Sequence, residues 1–158
     1  ILTDLLRKGG VMHIGLYSER ARQYVAQARQ LIKERGLTGS PADIRRFREI
    51  LIELSADSQL EVSKALGRND FYSLSECRDL LFHVLEHRFT LPQIKNALKE
   101  LDLQFLGFGQ NTNFTWALKK FPELYPEKDA VLSLSLWHKF ELKYPETFRG
   151  MYQFWVQK

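Results

Sequence analysis

The sequence has little that would anchor it in a membrane or crosslink it. Its apolar runs are far shorter than the roughly 20 residues that a membrane-spanning helix requires. It contains one cysteine, Cys77, so no disulfide can form within the chain. We therefore expect a cytoplasmic protein with no membrane contact. The chain does not begin with Met, and "ILTDLLRKGG" is typical of the end of a helix, so we expect a piece of a longer protein.

The chain also lacks a block of charge of one sign. The net charge is +4, and the arginines concentrate in the first third of the sequence. They are Arg20, Arg22, Arg29, Arg35, Arg45, Arg46 and Arg48. Acidic residues are mixed among them, as on a solvated helix surface, and this pattern argues against a nucleic-acid partner.

Three short apolar segments predict strands, at 11–18, 103–108 and 151–158. The first is predicted to be buried on both faces. The long helical stretch between the first two strands favours parallel pairing, whereas the last two strands could pair antiparallel. The fold class expected is therefore helix-rich α/β, a partial doubly wound sheet of about three strands with a large helical insert.

The chain is predicted to be a single domain or fragment, with four parts along the sequence. These are a helix end and strand at 1–18, a helical insert at 19–70, a lid at 71–90, and a last helix and strand pair with a helical excursion at 91–158. Ser18 is a candidate cap for the helix that follows it, and Thr90 and Gln93 form a capping box. The segment between the last two predicted strands is expected to be helical in pieces, with breaks at Pro122, Pro126 and Pro145.

The sequence His83-Val-Leu-Glu86-His87 has the H-x-x-E-H pattern of a zinc hydrolase. Such a site needs both histidines on one helix and a third protein ligand. The capping box at Thr90 begins a new helix, so the helix that carries the histidines must end close to His87. No downstream motif identifies a third ligand. We therefore keep a zinc hydrolase only as a remote alternative and expect no metal.

The order of these segments resembles the C-terminal half of class I S-adenosylmethionine-dependent methyltransferases. "LLRKGGVMHIGLYS" is similar to the turn and fifth strand of that fold, and "FTLPQIKNALKELDLQFLGF" to its last helix and sixth strand. "GMYQFWVQK" is similar to its seventh strand, which that fold inserts antiparallel to the others. The segment "DFYSLSECRDLLFHVLEHRFTLPQI" resembles bacterial members that often carry tetratricopeptide repeats upstream.

The resemblance implies a cofactor, S-adenosylmethionine, that is bound by the N-terminal half of the parent protein. The chain has no G-x-G-x-x-G sequence, so no cofactor-binding residue is assigned in it and it should be inactive alone. The segment before the last helix would form the acceptor side. The candidate catalytic residues there are Asp79, His83, Glu86 and His87. The candidate substrate-binding residues are Tyr17, Tyr72 and Arg78.

A second interpretation gives these residues no catalytic role. His83 would pack between Phe82 and Phe89, and Glu86 would form a surface pair with Arg88. The chain would then be a non-catalytic protein-interaction or dimerisation module. The partners expected are the missing N-terminal half of the parent and, through an exposed strand edge, a second copy of the chain.

Overall fold

The first strand, β1 (Val11–Ser18), follows a short helix, α1 (Leu2–Leu5), and a turn at Gly9 and Gly10. In the computed structural model, residues 2–55, 61–83, 85–109 and 114–158 are described. The chain forms two compact units. One unit contains Ile1–Ala21 and His87–Lys158 and carries the β-sheet, and we call it the sheet unit. The other, Arg22–Glu86, is helical, and we call it the inserted unit.

Where the structure describes it, the sheet unit has four strands, one more than the sequence predicted. After β1 they are β2 (Arg88–Phe89), β3 (Gln104–Phe108) and β4 (Met151–Gln157). Their order across the sheet is β2-β1-β4-β3. β2 is only two residues long and has no apolar alternation of its own, so the sequence did not reveal it.

The pairing of the strands corrects one prediction and confirms another. β4 lies between β1 and β3 and is antiparallel to both. The antiparallel pairing of the last two strands is therefore confirmed. The predicted direct parallel pairing of β1 with β3 is wrong, because β4 separates them and the parallel neighbour of β1 is β2.

Helices cover one face of this sheet. They are α5 (Leu91–Glu100), α6 (Thr115–Leu124) and α7 (Leu134–Lys143), with a 3-10 turn at Ala130–Leu132. Their apolar residues form one core with β3 and β4, and the buried Trp137 and Phe140 belong to it. The capping box at Thr90 and Gln93 is present. Pro122 lies inside α6 and does not break it, contrary to prediction.

The opposite face of β1 is open, which corrects the prediction that this strand is buried on both sides. Val11 is 52% exposed, and His13 and Gly15 are also exposed. On the neighbouring strand Trp155 is 44% exposed, with its ring 4.7 Å from the ring of His13. The apolar run of β1 therefore has a covered face and a solvent-facing face.

The described residues of the inserted unit form three α-helices and two 3-10 segments. They are α2 (Gln23–Glu34), α3 (Pro41–Leu54), Glu61–Gly67, Asn69–Tyr72 and α4 (Leu74–Phe82). α2 begins after Arg22 with no side-chain cap. The Ser18 hydroxyl accepts from the backbone N–H of Ala21 at 3.1 Å, so it caps the turn before α2 and not the helix itself, contrary to the prediction. The unit has its own core, which includes Phe47, Phe71 and the completely buried Cys77. Burial raises the pKa of the Cys77 thiol, consistent with a packing role.

Most of the segment predicted as a lid, 71–90, belongs to the inserted unit, and its role as a lid stays a prediction. Across the described ranges, no helix is both long and apolar enough to cross a bilayer.

Candidate functional site

The H-x-x-E-H sequence does not lie on a helix. α4 ends at Phe82, and His83 is already extended, with φ −63° and ψ 136°. Its Nδ1 lies 2.8 Å from the carbonyl oxygen of Leu85. The shared helical face that the zinc motif requires is therefore absent. Among the described residues, no group of three His, Cys, Asp or Glu side chains is arranged to hold a metal ion.

Glu86 is held in a buried ion-pair cluster. Its carboxylate accepts two hydrogen bonds from Arg22, at 3.0 Å from Nε and 2.6 Å from Nη2. The Nη2 of Arg29 lies 3.3 Å from the same carboxylate. The Glu86 side chain is only 5% exposed. The predicted surface pair with Arg88 is therefore wrong, because the Glu86 carboxylate is bound by Arg22, directly before α2, and by Arg29 on α2.

The other predicted residues of the inserted unit lie at its surface. Asp79 and Arg78 are exposed on α4, and Arg78 lies against Gly39. Tyr72 is 62% exposed, and its hydroxyl donates to the carbonyl oxygen of Leu66 at 2.9 Å. These side chains are accessible, and Arg78 and Tyr72 each make a contact within the inserted unit.

Two predicted residues belong to the sheet unit. Tyr17 is half-buried near the end of β1 and pairs with Arg88 on one side and Met151 on the other. His87 is exposed and directly precedes β2. Three of the four candidate catalytic residues thus lie in the inserted unit and His87 in the sheet unit.

The sequence interpretation missed a buried polar cluster at the carboxyl end of β1. Ser18, Glu141 and Tyr152 are each at most 1% exposed. The Ser18 hydroxyl lies 2.9 Å from Glu141 Oε1 and 3.0 Å from the Tyr152 hydroxyl. The Tyr152 hydroxyl lies 2.9 Å from both carboxylate oxygens of Glu141. A glutamate within the apolar stripe of α7, beside Trp137 and Phe140, was the signal that could have revealed it.

Burial controls the electrostatics of this cluster. Burial raises the pKa of Glu141, and the hydrogen bonds from Tyr152 and Ser18 and the charge of Arg20 oppose that effect only in part. Burial and the adjacent carboxylate raise the pKa of Tyr152 far above its usual range. One turn before Glu141, burial lowers the pKa of His138, whose buried Nδ1 has no hydrogen-bond partner within the described ranges.

A cavity of about 160 Å³ lies at the same edge of the sheet, where β3 ends and β4 begins. Its lining combines apolar and polar side chains: Phe108, Gly109, Phe114, Thr147, Phe148, Arg149, Met151 and Gln153. α/β folds place ligands at the carboxyl ends of their strands, the edge at which this cavity opens. The lining suits recognition of a side chain or a small group by apolar contact and hydrogen bonding.

Comparison with known proteins gives a likeness at the level of the fold. No family model matches the sequence, and no curated protein matches it. The structure is similar to that of PKMT2 from Rickettsia typhi, with a TM-score of 0.65 and 12% sequence identity. The likeness covers 99% of this chain and 30% of that chain, so this chain spans less than a third of that protein.

At this identity the likeness shows the fold alone. The fold is a helix-rich α/β arrangement with a mixed four-stranded sheet within the described residues. The name PKMT2 stands for protein-lysine methyltransferase.

Proposed function

We propose that this chain is the acceptor-side part of an S-adenosylmethionine-dependent methyltransferase and that it is inactive alone. The observation that carries the proposal is the insertion of antiparallel β4 between β1 and β3, in a fold that matches a methyltransferase over 99% of the chain. The G-x-G-x-x-G sequence of a nucleotide-binding turn is absent from these 158 residues. The cofactor would therefore bind to another part of the parent protein.

The uncovered edge and face of β1 support the view that another α/β segment packs against this strand in the parent protein. The backbone N–H of Ser18 donates to the carbonyl oxygen of Gly150, and the carbonyl oxygen of Gly10 accepts from the N–H of Lys158. The backbone N–H and C=O groups of the even-numbered residues of β1 therefore point toward β4. Backbone groups alternate along a strand, so those of Val11, His13 and Gly15 point to the opposite edge. β2 pairs only with Tyr17 and Ser18. A strand and covering helices from the cofactor-binding half would fill both this edge and the open face.

The name of the similar protein makes a lysine side chain of a protein the first acceptor to test. In this proposal, the exposed Asp79, His83 and His87 remain candidates for acceptor-side groups. Glu86 is the weakest of the four, because its carboxylate is already bound by two arginines.

The test is a calorimetric titration of S-adenosylmethionine into the protein encoded by the whole gene and, in parallel, into these 158 residues. Binding to the first and none to the second supports the proposal, and transfer of a labelled methyl group to a lysine-containing protein would identify the acceptor. If neither binds the cofactor, the chain is an interaction module with a methyltransferase-like fold. Binding by the 158 residues alone would contradict the assignment of the cofactor site to another part.

A further inference from the structure

A second concave surface lies on the sheet unit, away from the carboxyl edge of the strands. It is a groove of about 250 Å³ between α5, the beginning of β3 and the beginning of α7. We call it the α5–α7 groove. Its lining residues are Lys95, Leu98, Lys99, Leu103, Phe105, Leu132, Ser133, Leu134 and Ser135.

The floor of the groove is apolar and the rim is polar. Leu98, Leu103, Phe105 and Leu134 are each at most 9% exposed and belong to the core of the unit. Leu132 is 43% exposed and continues the apolar surface outward, next to Val131, which is 38% exposed. These two residues extend the apolar floor of the groove toward solvent.

Positive charge is fixed at one rim. The ammonium group of Lys95 donates a hydrogen bond to the Ser135 hydroxyl, at 2.9 Å, and so bridges α5 and α7 beside the groove. An ammonium group has three donors, so two remain for another acceptor. Lys99 lies one helical turn further along α5 and is exposed. Within the described ranges, neither lysine has an acidic partner.

We infer that the α5–α7 groove binds a polypeptide segment in which an apolar residue is flanked by acidic residues. The charge of the two lysines complements acidic side chains, and the floor accepts an apolar anchor. The volume is below the range of about 300–1,000 Å³ that is usual for small-molecule pockets, and the groove opens onto exposed apolar surface. Both properties favour a peptide over an enclosed small ligand. This inference does not depend on the proposed methyltransferase function.

The test uses the whole natural chain and two fluorescein-labelled peptides, measured by fluorescence anisotropy at about 0.1 M salt. The acidic peptide is Ser-Glu-Asp-Leu-Phe-Glu-Asp-Ser, and its neutral counterpart carries Gln and Asn at the acidic positions. We expect binding of the acidic peptide, and affinity at least about tenfold lower with Lys95→Glu/Lys99→Glu, since two attractive pairs become repulsive. Leu132→Ser should also weaken binding through loss of apolar contact.

The matched control is Lys119→Glu/Lys128→Glu, which changes the net charge equally at exposed lysines outside the groove. It should change the affinity by less than about twofold at this salt concentration. An equal loss with both double variants would show non-specific attraction and overturn the inference. So would an absence of binding, or equal binding of the neutral peptide. If charge reversal prevents folding, by circular dichroism, Lys95→Gln/Lys99→Gln provides the same comparison with a smaller expected loss.

A small amphiphile is the competing ligand. Octanoate is titrated in parallel and should neither bind nor displace the acidic peptide. Lysine-dependent binding of octanoate with no binding of the peptide would overturn the peptide assignment.

Discussion

Tyr152 donates its phenolic hydrogen to the carboxylate of Glu141, whose two oxygens both lie 2.9 Å from the hydroxyl oxygen. Both side chains are buried, and the contact joins β4 to α7. The hydroxyl of Ser18 joins β1 to the same carboxylate. One buried acid thus connects the two central strands of the sheet to the helix that covers them.

Tyr152→Phe should destabilise the protein, because it removes the principal hydrogen-bond donor of a buried carboxylate. We expect a loss of about 1–3 kcal/mol in the free energy of unfolding, measured by urea denaturation at pH 7. Tyr125→Phe is the control, since Tyr125 contacts the ring of Phe121 and its hydroxyl has no partner in the described ranges. It should change the stability by less than about 0.5 kcal/mol. Equal losses in the two variants would contradict this role.

Glu141→Gln should reduce the dependence of stability on pH. Burial raises the pKa of Glu141 in the folded protein, so the folded state keeps a proton where the unfolded chain has lost it. The contribution of Glu141 to stability is therefore complete below the ordinary pKa of about 4.3 and is lost as pH rises through the raised pKa. Urea denaturation between pH 4 and pH 7 should show a smaller decline in the variant than in the native protein. The exposed control Glu100→Gln should keep the native decline.

Local patterns predicted much of this fold. Turn signals and apolar runs located β1, β3 and β4, and the capping box located the beginning of α5, since each of these signals depends on neighbouring residues. The antiparallel pairing of β3 and β4 was expected from their closeness in the sequence and from the family resemblance, and could not have come from periodicity. The open face of β1 was predicted incorrectly, because an apolar run contains no information about which neighbours are present.

The polar clusters could not be predicted in the same way, because their partners are far apart in the sequence. Glu86 binds Arg22, 64 residues earlier, and Glu141 binds Ser18, 123 residues earlier. Within its own segment, Glu86 is equally compatible with a catalytic role and with a pair with Arg88. Only the folded inserted unit brings the guanidinium groups of Arg22 and Arg29 to the Glu86 carboxylate.

Glu86→Ala should destabilise the inserted unit, because it removes a carboxylate that accepts hydrogen bonds from two partly buried guanidinium groups. The expected loss is about 1–3 kcal/mol in the free energy of unfolding. Glu49→Ala, which removes an exposed carboxylate from α3, should change the stability by less than about 0.5 kcal/mol. Thermal unfolding followed by circular dichroism measures both. If Glu86→Ala instead abolished methyl transfer with unchanged stability, Glu86 would be catalytic rather than structural.

Gly107 should not tolerate a side chain, although the space around it is open. Its φ is +136°, at the irregularity where β3 shifts its pairing with β4. Few residues other than glycine adopt this conformation, so Gly107→Ala should cost about 1–3 kcal/mol. Gly67 is equally open but has no positive φ, so Gly67→Ala should be neutral or stabilising by up to about 1 kcal/mol. Urea denaturation of the two variants separates backbone strain from steric contact, and similar losses would contradict the strain argument.

The 158-residue chain on its own should self-associate through the edge of β1, because the outward backbone groups of Val11, His13 and Gly15 lie beyond the short β2. An uncovered edge of this kind readily pairs with another strand. Val11→Pro removes one outward N–H at the first residue of the strand, where proline is tolerated, and should shift the chain toward the monomer. Val11→Thr keeps the N–H and the branched side chain and should associate like the native chain. Sedimentation at increasing concentration measures all three, and a strictly monomeric native chain would exclude pairing at this edge.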